Sequence, residues 1–272
     1  MTENSKDIQL QYQGFNKTPL LWENDAIFQL NQFKITSEND LQYCSLSKPE
    51  IRLGKRVEQF CFFKFQQDPQ IEILLENLQI QDKKRTVGEI DCILKKNNQP
   101  IHVELIYKFY LYDSTVGNSE IEHWIGPNRR DSLFLKLTKL KNKQLPLLNN
   151  SFTKPYLKTL QIPIEKIQQS VFFKAQLFVP LEDLKKTFPI INNDCIYGFY
   201  ISYNKLHQFD NCKFYIPTKV NWLKEIQTNI KWITYSKFHS KIMEFVNQKS
   251  APLCWVKFPN GTFQKFFVIW WE

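Results

Sequence analysis

Two strand-like runs joined by a short turn constrain the fold of this chain more than any other feature. The first run reads GEIDCIL from Gly88, and the second reads HVELIYK from His102. Asn97-Asn98 lies between them, and asparagine pairs are typical of hairpin turns. Side chains of a strand alternate between two faces. Here one face carries Ile101, Val103, Leu105, Tyr107, Phe109 and Leu111, and the other carries His102, Glu104, Ile106, Lys108 and Tyr110. The pattern predicts two adjacent antiparallel strands.

Each predicted strand carries one carboxylate inside its apolar run. These are Asp91 and Glu104, which the hairpin would place on neighbouring strands. A buried charge without a partner is strongly unfavourable, so the two acids need either a cation or contact with solvent. Two alternatives remain open at this point, a metal site or solvated side chains on a sheet face.

A helix is predicted on each side of the hairpin. In LGKRVEQFCFFKFQ, apolar residues follow the i, i+4, i+7, i+8 spacing of a helix buried on one face, with Glu58 on its polar side. Asp68-Pro69 ends that helix. After the second strand, WIGPNRRDSLFLKLTKLKNK predicts a loop and a helix with Asp131 as its N-cap. The inward positions are Leu133, Leu137 and Leu140, and a second stripe carries Lys136, Lys139 and Lys143.

The chain is predicted to have three parts in an α/β fold of mixed α+β character. Residues 1–50 form a mainly helical N-terminal segment, and 51–148 form the core that holds both acids. Residues 149–272 form an α+β region, separate from the core or packed into one domain with it, in which Asn260-Gly261 predicts a hairpin. The last region offers no group of polar residues at a catalytic spacing.

Charge and cysteine usage narrow the class of protein. The net charge of +9, from 36 Lys and Arg against 27 Asp and Glu, favours a polyanionic partner such as nucleic acid. Six cysteines without C-x-x-C and four histidines without H-x-x-x-H indicate buried thiols rather than a zinc cluster or disulfides. Motifs of NTPases, serine hydrolases and zinc proteases are missing. We expect a cytoplasmic protein without a membrane segment.

The order of the acidic residues resembles that of a nuclease superfamily. Glu58 on a helix, Asp91 on a strand, Glu104 on the next strand and a lysine beyond it resemble the PD-(D/E)XK nucleases, in particular their Holliday-junction-resolvase-like branch. More narrowly, TVGEIDCIL, HVELIYKFYLY and WIGPNRRDSLFLKL together resemble the domain-of-unknown-function family 1853, a relative of that superfamily. The resemblance implies a restriction-endonuclease-like core, with a mixed central sheet flanked by helices.

The resemblance also implies a site for Mg²⁺ or Mn²⁺. Asp91, Glu104 and the carbonyl of Leu105 would be ligands, because Mg²⁺ takes oxygen ligands and keeps several waters. Glu58 would hold a second metal or a water. The lysine departs from the superfamily pattern, since Ile106 occupies its usual position.

Two lysines could replace it. Lys108 keeps the face of Glu104 but lies about 13 Å along the strand, and Lys136 could approach from the following helix. His102 could contact a phosphate or carry a proton, or be a structural, hydrogen-bonded histidine. Further contacts to nucleic acid are predicted for Asn128, Arg129, Arg130, Lys139 and Lys143. For Asn128 and Asp131, shaping a turn and capping a helix is the alternative role.

The expected function is therefore a magnesium-dependent nuclease that hydrolyses phosphodiester bonds in DNA or RNA. The alternative is a catalytically silent module of the same fold that binds nucleic acid or a protein partner. A third hypothesis is a structural protein in which the acids pair with Lys108 and Lys136.

Overall fold

The computed structural model describes residues 5–23, 26–35, 42–43 and 51–271 of the chain. Six α-helices lie within them: α1 Ser5–Lys17, α2 Leu53–Gln66, α3 Glu120–His123, α4 Leu133–Lys139, α5 Lys154–Thr159 and α6 Tyr235–Asn247. A π-helical turn, Leu140–Gln144, and a 3-10 helix, Leu145–Asn149, follow α4 directly. Further short 3-10 helices include Tyr203–Phe209 and Lys219–Leu223.

The described strands form one mixed sheet. They are β1 Ile71–Asp82, β2 Arg85–Lys96, β3 Gln99–Tyr112, β4 Trp124–Ile125, β5 Gln168–Pro180, β6 Ile196–Ser202, β7 Lys213–Tyr215, β8 Ile233–Thr234, β9 Leu253–Lys257 and β10 Phe263–Ile269. Their order is β1-β2-β3-β5-β6-β10-β9-β7-β8, with β4 paired to β3. Strands β3, β5, β6 and β10 run parallel to one another, and the other pairs are antiparallel. The predicted α/β class with a mixed sheet is confirmed.

The sheet extends across the sequence boundary near residue 148. Strand β5 pairs with β3 from Ile101–Gln168 to Leu111–Phe178, a longer ladder than the one joining β3 to β2. Residues 149–272 therefore complete the sheet that carries both acids.

Both predicted hairpin turns are confirmed. Asn97 and Asn98 connect β2 to β3 with φ of 50° and 64°, a left-handed conformation that asparagine tolerates better than most residues. Gly261, with φ of 86°, lies between β9 and β10. Helix α2 also forms over the predicted stretch and ends at Gln66, just before Asp68-Pro69.

Helices cover both faces of β3. On one face Val103 and Tyr107 belong to a core that includes residues of α1 and α2, among them Tyr12, Phe15, Val57 and Phe60. On the other face Ile106 and Tyr110 share a core with Leu133, Leu137 and Leu140. The alternation predicted which residues share each face of β3, and the structure shows in addition that both faces are buried, as in other strands covered by helices on both sides.

Three details differ from the sequence-based expectations or refine them. The N-cap of α4 is Ser132, whose hydroxyl accepts a hydrogen bond from the Leu135 N–H, so the prediction of Asp131 as cap is wrong by one residue. In the N-terminal segment, residues 26–35 form no helix and instead contact β5 through the Gln32–Val171 bridge. The five described cysteines are buried and free, whereas Cys44 lies outside the described residues.

Within the described part of the chain, no helix is long and apolar enough to cross a bilayer.

Close packing of α1 yields a test of the fold. A Cβ added to Gly14 would lie 1.9 Å from the Leu223 carbonyl oxygen, whereas one added to Gly54 of α2 would meet no atom within 4 Å. We expect Gly14→Ala to destabilise the protein by about 1 to 3 kcal/mol, the usual cost of overpacking. The matched control Gly54→Ala should be neutral or stabilising, since alanine favours helices. Thermal unfolding followed by circular dichroism measures both, and equal effects would contradict the predicted packing.

Candidate metal and nucleic-acid site

The site begins where β2 separates from β3. The ladder between these strands ends at the Cys92–Val103 pair, while β2 continues to pair with β1 as far as Arg85. One residue beyond the ladder, the same register sets Asp91 opposite Glu104, and opposite residues of an antiparallel pair project to one face. The Leu105 N–H has no strand partner there and donates to Asp91 Oδ2 at 2.9 Å. The carboxylate of Asp91 thus lies between the two strands at the point where they separate.

Neutral donors fix the carboxylate of Glu104, which is fully buried. Its Oε1 lies 3.0 Å from His102 Nε2, and its Oε2 accepts from Gln144 Nε2 at 2.5 Å. On the far side of the ring, Gln169 Nε2 lies 3.0 Å from His102 Nδ1. An amide nitrogen can only donate, so His102 Nδ1 accepts and Nε2 carries the proton that it gives to Glu104. His102 therefore lies in the network that orients Glu104, without exposed surface.

Lys136 is the lysine that the structure brings to this network. Its Nζ donates to Gln144 Oε1 at 2.7 Å, and the same amide donates to Glu104, so Gln144 bridges the two charged groups. The π-helical turn after α4 ends at Gln144, and such turns commonly occur at functional sites. Burial lowers the pKa of Lys136 to about 8, while the charges of Glu104 and Asp91 act in the opposite direction.

Lys108 instead holds a loop. Its Nζ donates to Asp131 Oδ2 at 2.7 Å. A Cβ on Gly126 would lie 1.9 Å from Asp131 Oδ1, so the absence of a side chain at Gly126 lets Asp131 reach the lysine. The Gly126 N–H also donates to the Asp131 carbonyl at 2.8 Å, which closes the loop between β4 and α4. Ile106, at the usual position of the superfamily lysine, is buried in the core beside α4.

A basic groove runs along the edge of β3 that β2 leaves open. The cavity has a volume of about 970 Å³ and contains residues 105–109 of β3 in its wall. Five cationic side chains line it, against the two acids Glu58 and Asp131; the cations are Arg52, Lys108, Arg130, Lys136 and Lys219. Leu105 belongs to this wall and its N–H holds Asp91, so Asp91 lies next to the groove, while Glu104 is buried behind it.

The electrostatics of the acids favour a cation. Burial, and after it the charge of Glu104, raise the pKa of Asp91 to about 7, although the hydrogen bond from the Leu105 N–H acts in the opposite direction. Glu58 adds to this negative potential, although it is paired with Lys55 at 2.6 Å. Burial also raises the pKa of Glu58, against the effect of Lys55.

The available donors fit a hard, hydrated cation. Asp91 Oδ1 makes no hydrogen bond to any described residue, and the described residues contain no group of three or more His, Cys, Asp and Glu suited to a metal. In a strand the N–H and C=O of one residue point to the same side, so the Leu105 carbonyl faces the open edge together with its N–H. Two carboxylates and one carbonyl suit Mg²⁺ or Mn²⁺, which retain waters, better than a fully protein-ligated zinc.

The remaining predicted contacts are distributed around the groove. Arg130 lines it, whereas Arg129 bonds Asp113 at 2.8 Å and lies over the Trp271 ring. Asn128 accepts a hydrogen bond from the Ala251 N–H and so ties the loop to the C-terminal region. Lys139 and Lys143 are exposed outside the groove wall. Sequence reasoning missed Gln144, Gln169, Arg52 and Lys219, because neutral amides and isolated basic residues form no motif.

Comparison with known proteins identifies a family. The model of the family described as "Domain of unknown function (DUF1853)" matches residues 12–268. No curated protein and no solved structure matches the chain significantly.

The raised pKa of Asp91 predicts a specific pH dependence of stability. The folded state binds the Asp91 proton more tightly than the unfolded state, whose ordinary pKa is 3.8. The stabilisation from the protonated acid is thus complete below pH 3.8 and lost as the pH rises to about 7. In metal-free buffer, we expect Asp91→Asn to melt above wild type at pH 8, by about 2 °C or more. The difference should shrink towards pH 4. Asp210→Asn, at an exposed position, is the control; an Asp91→Asn difference that does not vary with pH would contradict the prediction.

Proposed function

The chain belongs to the DUF1853 family, and from its site we propose that it is a magnesium- or manganese-dependent nuclease that hydrolyses phosphodiester bonds in DNA or RNA. One observation carries the proposal: the strand register sets Asp91 opposite Glu104 at the point where the free edge of β3 opens into a basic groove. An acidic pair surrounded by cations suits a metal ion that must meet a phosphate.

The groove supports nucleic acid as the substrate class. Its wall carries five cations and two acids, in a chain of net charge +9. Phosphate groups are neutralised by Lys and Arg with release of counterions, and this term dominates non-specific binding of nucleic acids. Arg52, Arg130 and Lys219 come from three separate segments, so their convergence depends on the tertiary fold. A single basic stripe on one helix would be weaker support.

The proposed cation site consists of the two carboxylates and the Leu105 carbonyl. A bound Mg²⁺ or Mn²⁺ would supply positive charge at the phosphate and lower the pKa of a bound water. The protein's contribution is orientation: the Leu105 N–H holds Asp91, while His102 and Gln144 hold Glu104. Groups that hydrogen-bond metal ligands in this way commonly fix their geometry and basicity.

Lys136 is the proposed catalytic lysine. With a pKa lowered to about 8, its amine can exchange a proton near neutral pH. It lies beside the acids through Gln144, whereas Lys108 is bound to Asp131. We assign Lys136 to proton transfer or charge stabilisation at the attacking water, and Lys108 to loop positioning and phosphate contact.

A second candidate function is a silent binding module with the same groove. The observation that favours it is the enclosure of Glu104, since both of its oxygens already receive hydrogen bonds and the residue has no exposed surface. Such a module would bind nucleic acid with steep salt dependence but would not need the acids.

Nuclease assays on labelled DNA and RNA distinguish the two candidates. With Mg²⁺ or Mn²⁺, we expect wild type to cleave, and Asp91→Asn and Lys136→Met to lose about 100-fold or more of the rate, the usual contribution of such groups. Lys108→Met should lose less, because its partner Asp131 is not an acid of the metal site. Wild type without activity, but with binding unchanged by Asp91→Asn, would favour the silent module. Equal losses for Lys136→Met and Lys108→Met would contradict the assignment of the lysine.

Metal binding can be measured separately from cleavage. We expect Mn²⁺ at millimolar concentration to raise the melting temperature of wild type at pH 8, because a ligand of the folded state stabilises it. Asp91→Asn should show no such shift, and Asp210→Asn should behave as wild type. A shift of the same size in Asp91→Asn would place the ion elsewhere.

A further inference from the structure

A second cavity lies at the carboxyl ends of the four parallel strands. Its volume is about 740 Å³, and each strand of the parallel set contributes to its wall at or just after its end. Asp113 follows β3, Leu181 follows β5, Ser202 ends β6, and Trp271 follows β10. The carboxyl edge of parallel strands is a common position for ligand sites, because the loops that follow the strands converge there. None of these residues belongs to the proposed metal site.

The wall of this cavity combines aromatic and polar side chains. Its apolar and aromatic residues are Pro180, Leu181, Tyr200, Ile201, Ile269 and Trp271. Its uncharged polar residues are Ser114, Thr115, Ser202, Asn204 and Gln208. Three charged residues complete the wall: Glu182 and Lys205 add one charge of each sign, and Asp113 adds a carboxylate that is paired with Arg129. A flat heteroaromatic ring with hydrogen-bonding edges, such as a nucleobase, matches this composition better than a phosphate or an aliphatic chain.

One hydroxyl in the wall lacks a partner. Ser202 Oγ is buried and makes no hydrogen bond to any described residue. A buried polar group without a partner is costly, and a ligand edge would satisfy it. The rings of Tyr200 and Trp271 in this wall are already fixed at their polar ends. Tyr200 donates its hydroxyl proton to the Tyr112 carbonyl at 2.7 Å, and Trp271 Nε1 donates to the Pro127 carbonyl at 3.2 Å. These hydrogen bonds fix both rings, and because Arg129 lies over one face of the Trp271 ring, a stacking base would use the opposite face.

The cavity adjoins the basic groove, because a residue of its wall is hydrogen-bonded to a residue of the groove. Pro127, which receives the Trp271 hydrogen bond, lines the groove. Arg129 and Arg130 are adjacent in the same loop, but Arg130 lines the groove while Arg129 lies 4.5 Å from the centroid of the Trp271 ring. Adjacent Cα atoms are only about 3.8 Å apart. A strand with its phosphates in the groove can thus reach the second cavity with a neighbouring base.

We propose that this second cavity binds one unpaired nucleobase of the nucleic acid whose backbone lies in the groove. The substrate class is then single-stranded nucleic acid, or a branched or damaged duplex with an unpaired base. This inference rests on the proposed function, which supplies nucleic acid as the polymer in the groove, but it concerns binding and not cleavage. Stacking of one base on aromatic side chains corresponds to about tenfold in affinity or more.

Binding of matched oligonucleotides in EDTA tests the proposal. The probes are a labelled single-stranded 12-mer, the same strand with abasic positions, and a blunt duplex, followed by fluorescence anisotropy. We expect wild type to bind the 12-mer about tenfold or more tightly than the abasic strand. The preference should decrease several-fold in Ser202→Ala, and the abasic strand should bind unchanged. Ser202→Ala removes no hydrogen bond within the described structure and so should keep its melting temperature. Ser236→Ala, at an exposed position, is the matched control.

Two further experiments test the groove and the second cavity separately. Arg130→Ala should weaken all three probes alike, since it removes a groove cation. Adenosine monophosphate, tested by saturation-transfer NMR, should receive signal at its base protons in wild type and lose it in Trp271→Leu. Equal affinity of wild type for the 12-mer and the abasic strand would overturn the base pocket while leaving the nuclease proposal standing. Absence of binding to every probe would overturn both, and base preference without cleavage in Mg²⁺ would overturn only the nuclease.

Discussion

The early separation of β2 from β3 is the constraint on which the rest of the site depends. Because β2 remains paired with β1, the edge of β3 between Val103 and the β4 pairing at Leu111 has no described strand beside it. The N–H of Leu105 is satisfied by Asp91 instead of by backbone. A buried backbone donor must find some partner, so the position of Asp91 is a structural requirement as well as a chemical opportunity. The same open edge forms the wall of the basic groove, which places the acid where a polyanion would lie.

The surrounding hydrogen bonds partly offset the electrostatic cost of burying two carboxylates. Two carboxylates at close range in a buried site repel each other, and here no arginine or lysine bonds either of them directly among the described residues. Neutral amides and a histidine satisfy Glu104, while Lys136 acts through Gln144. Because these groups do not fully neutralise the negative charge, the pKa of Asp91 is raised. Such perturbed groups concentrate at functional sites, and a divalent cation would supply the missing positive charge.

Local patterns predicted the elements that carry the acids but not the contacts between distant segments. The alternation of β3, the Asn97-Asn98 turn and helix α2 follow from periodicity and turn chemistry over a few residues, and they are confirmed. The bridge by Gln144 depends on a π-helical turn and on the approach of α4, and the periodicity of the sequence predicts neither of them. Likewise, β5 joins β3 from more than fifty residues away, and that pairing decides which edge of β3 stays open. A contact between distant segments also decides which lysine lies near the acids. Lys108 is bound to Asp131, in a loop that packs closely against Gly126, so Lys136 approaches the acids instead.

We propose that Asp91 and Glu104 together bind one divalent cation. Anomalous diffraction from crystals soaked in Mn²⁺ tests it most directly, because the metal is located without reference to activity. We expect a peak within about 2.2 Å of a carboxylate oxygen of each acid, the distance typical of an ion of this kind. This peak should be missing in Asp91→Asn crystals soaked in the same way. A Mn²⁺ peak bound elsewhere in the groove, or a wild-type soak with no peak at the two carboxylates, would contradict it.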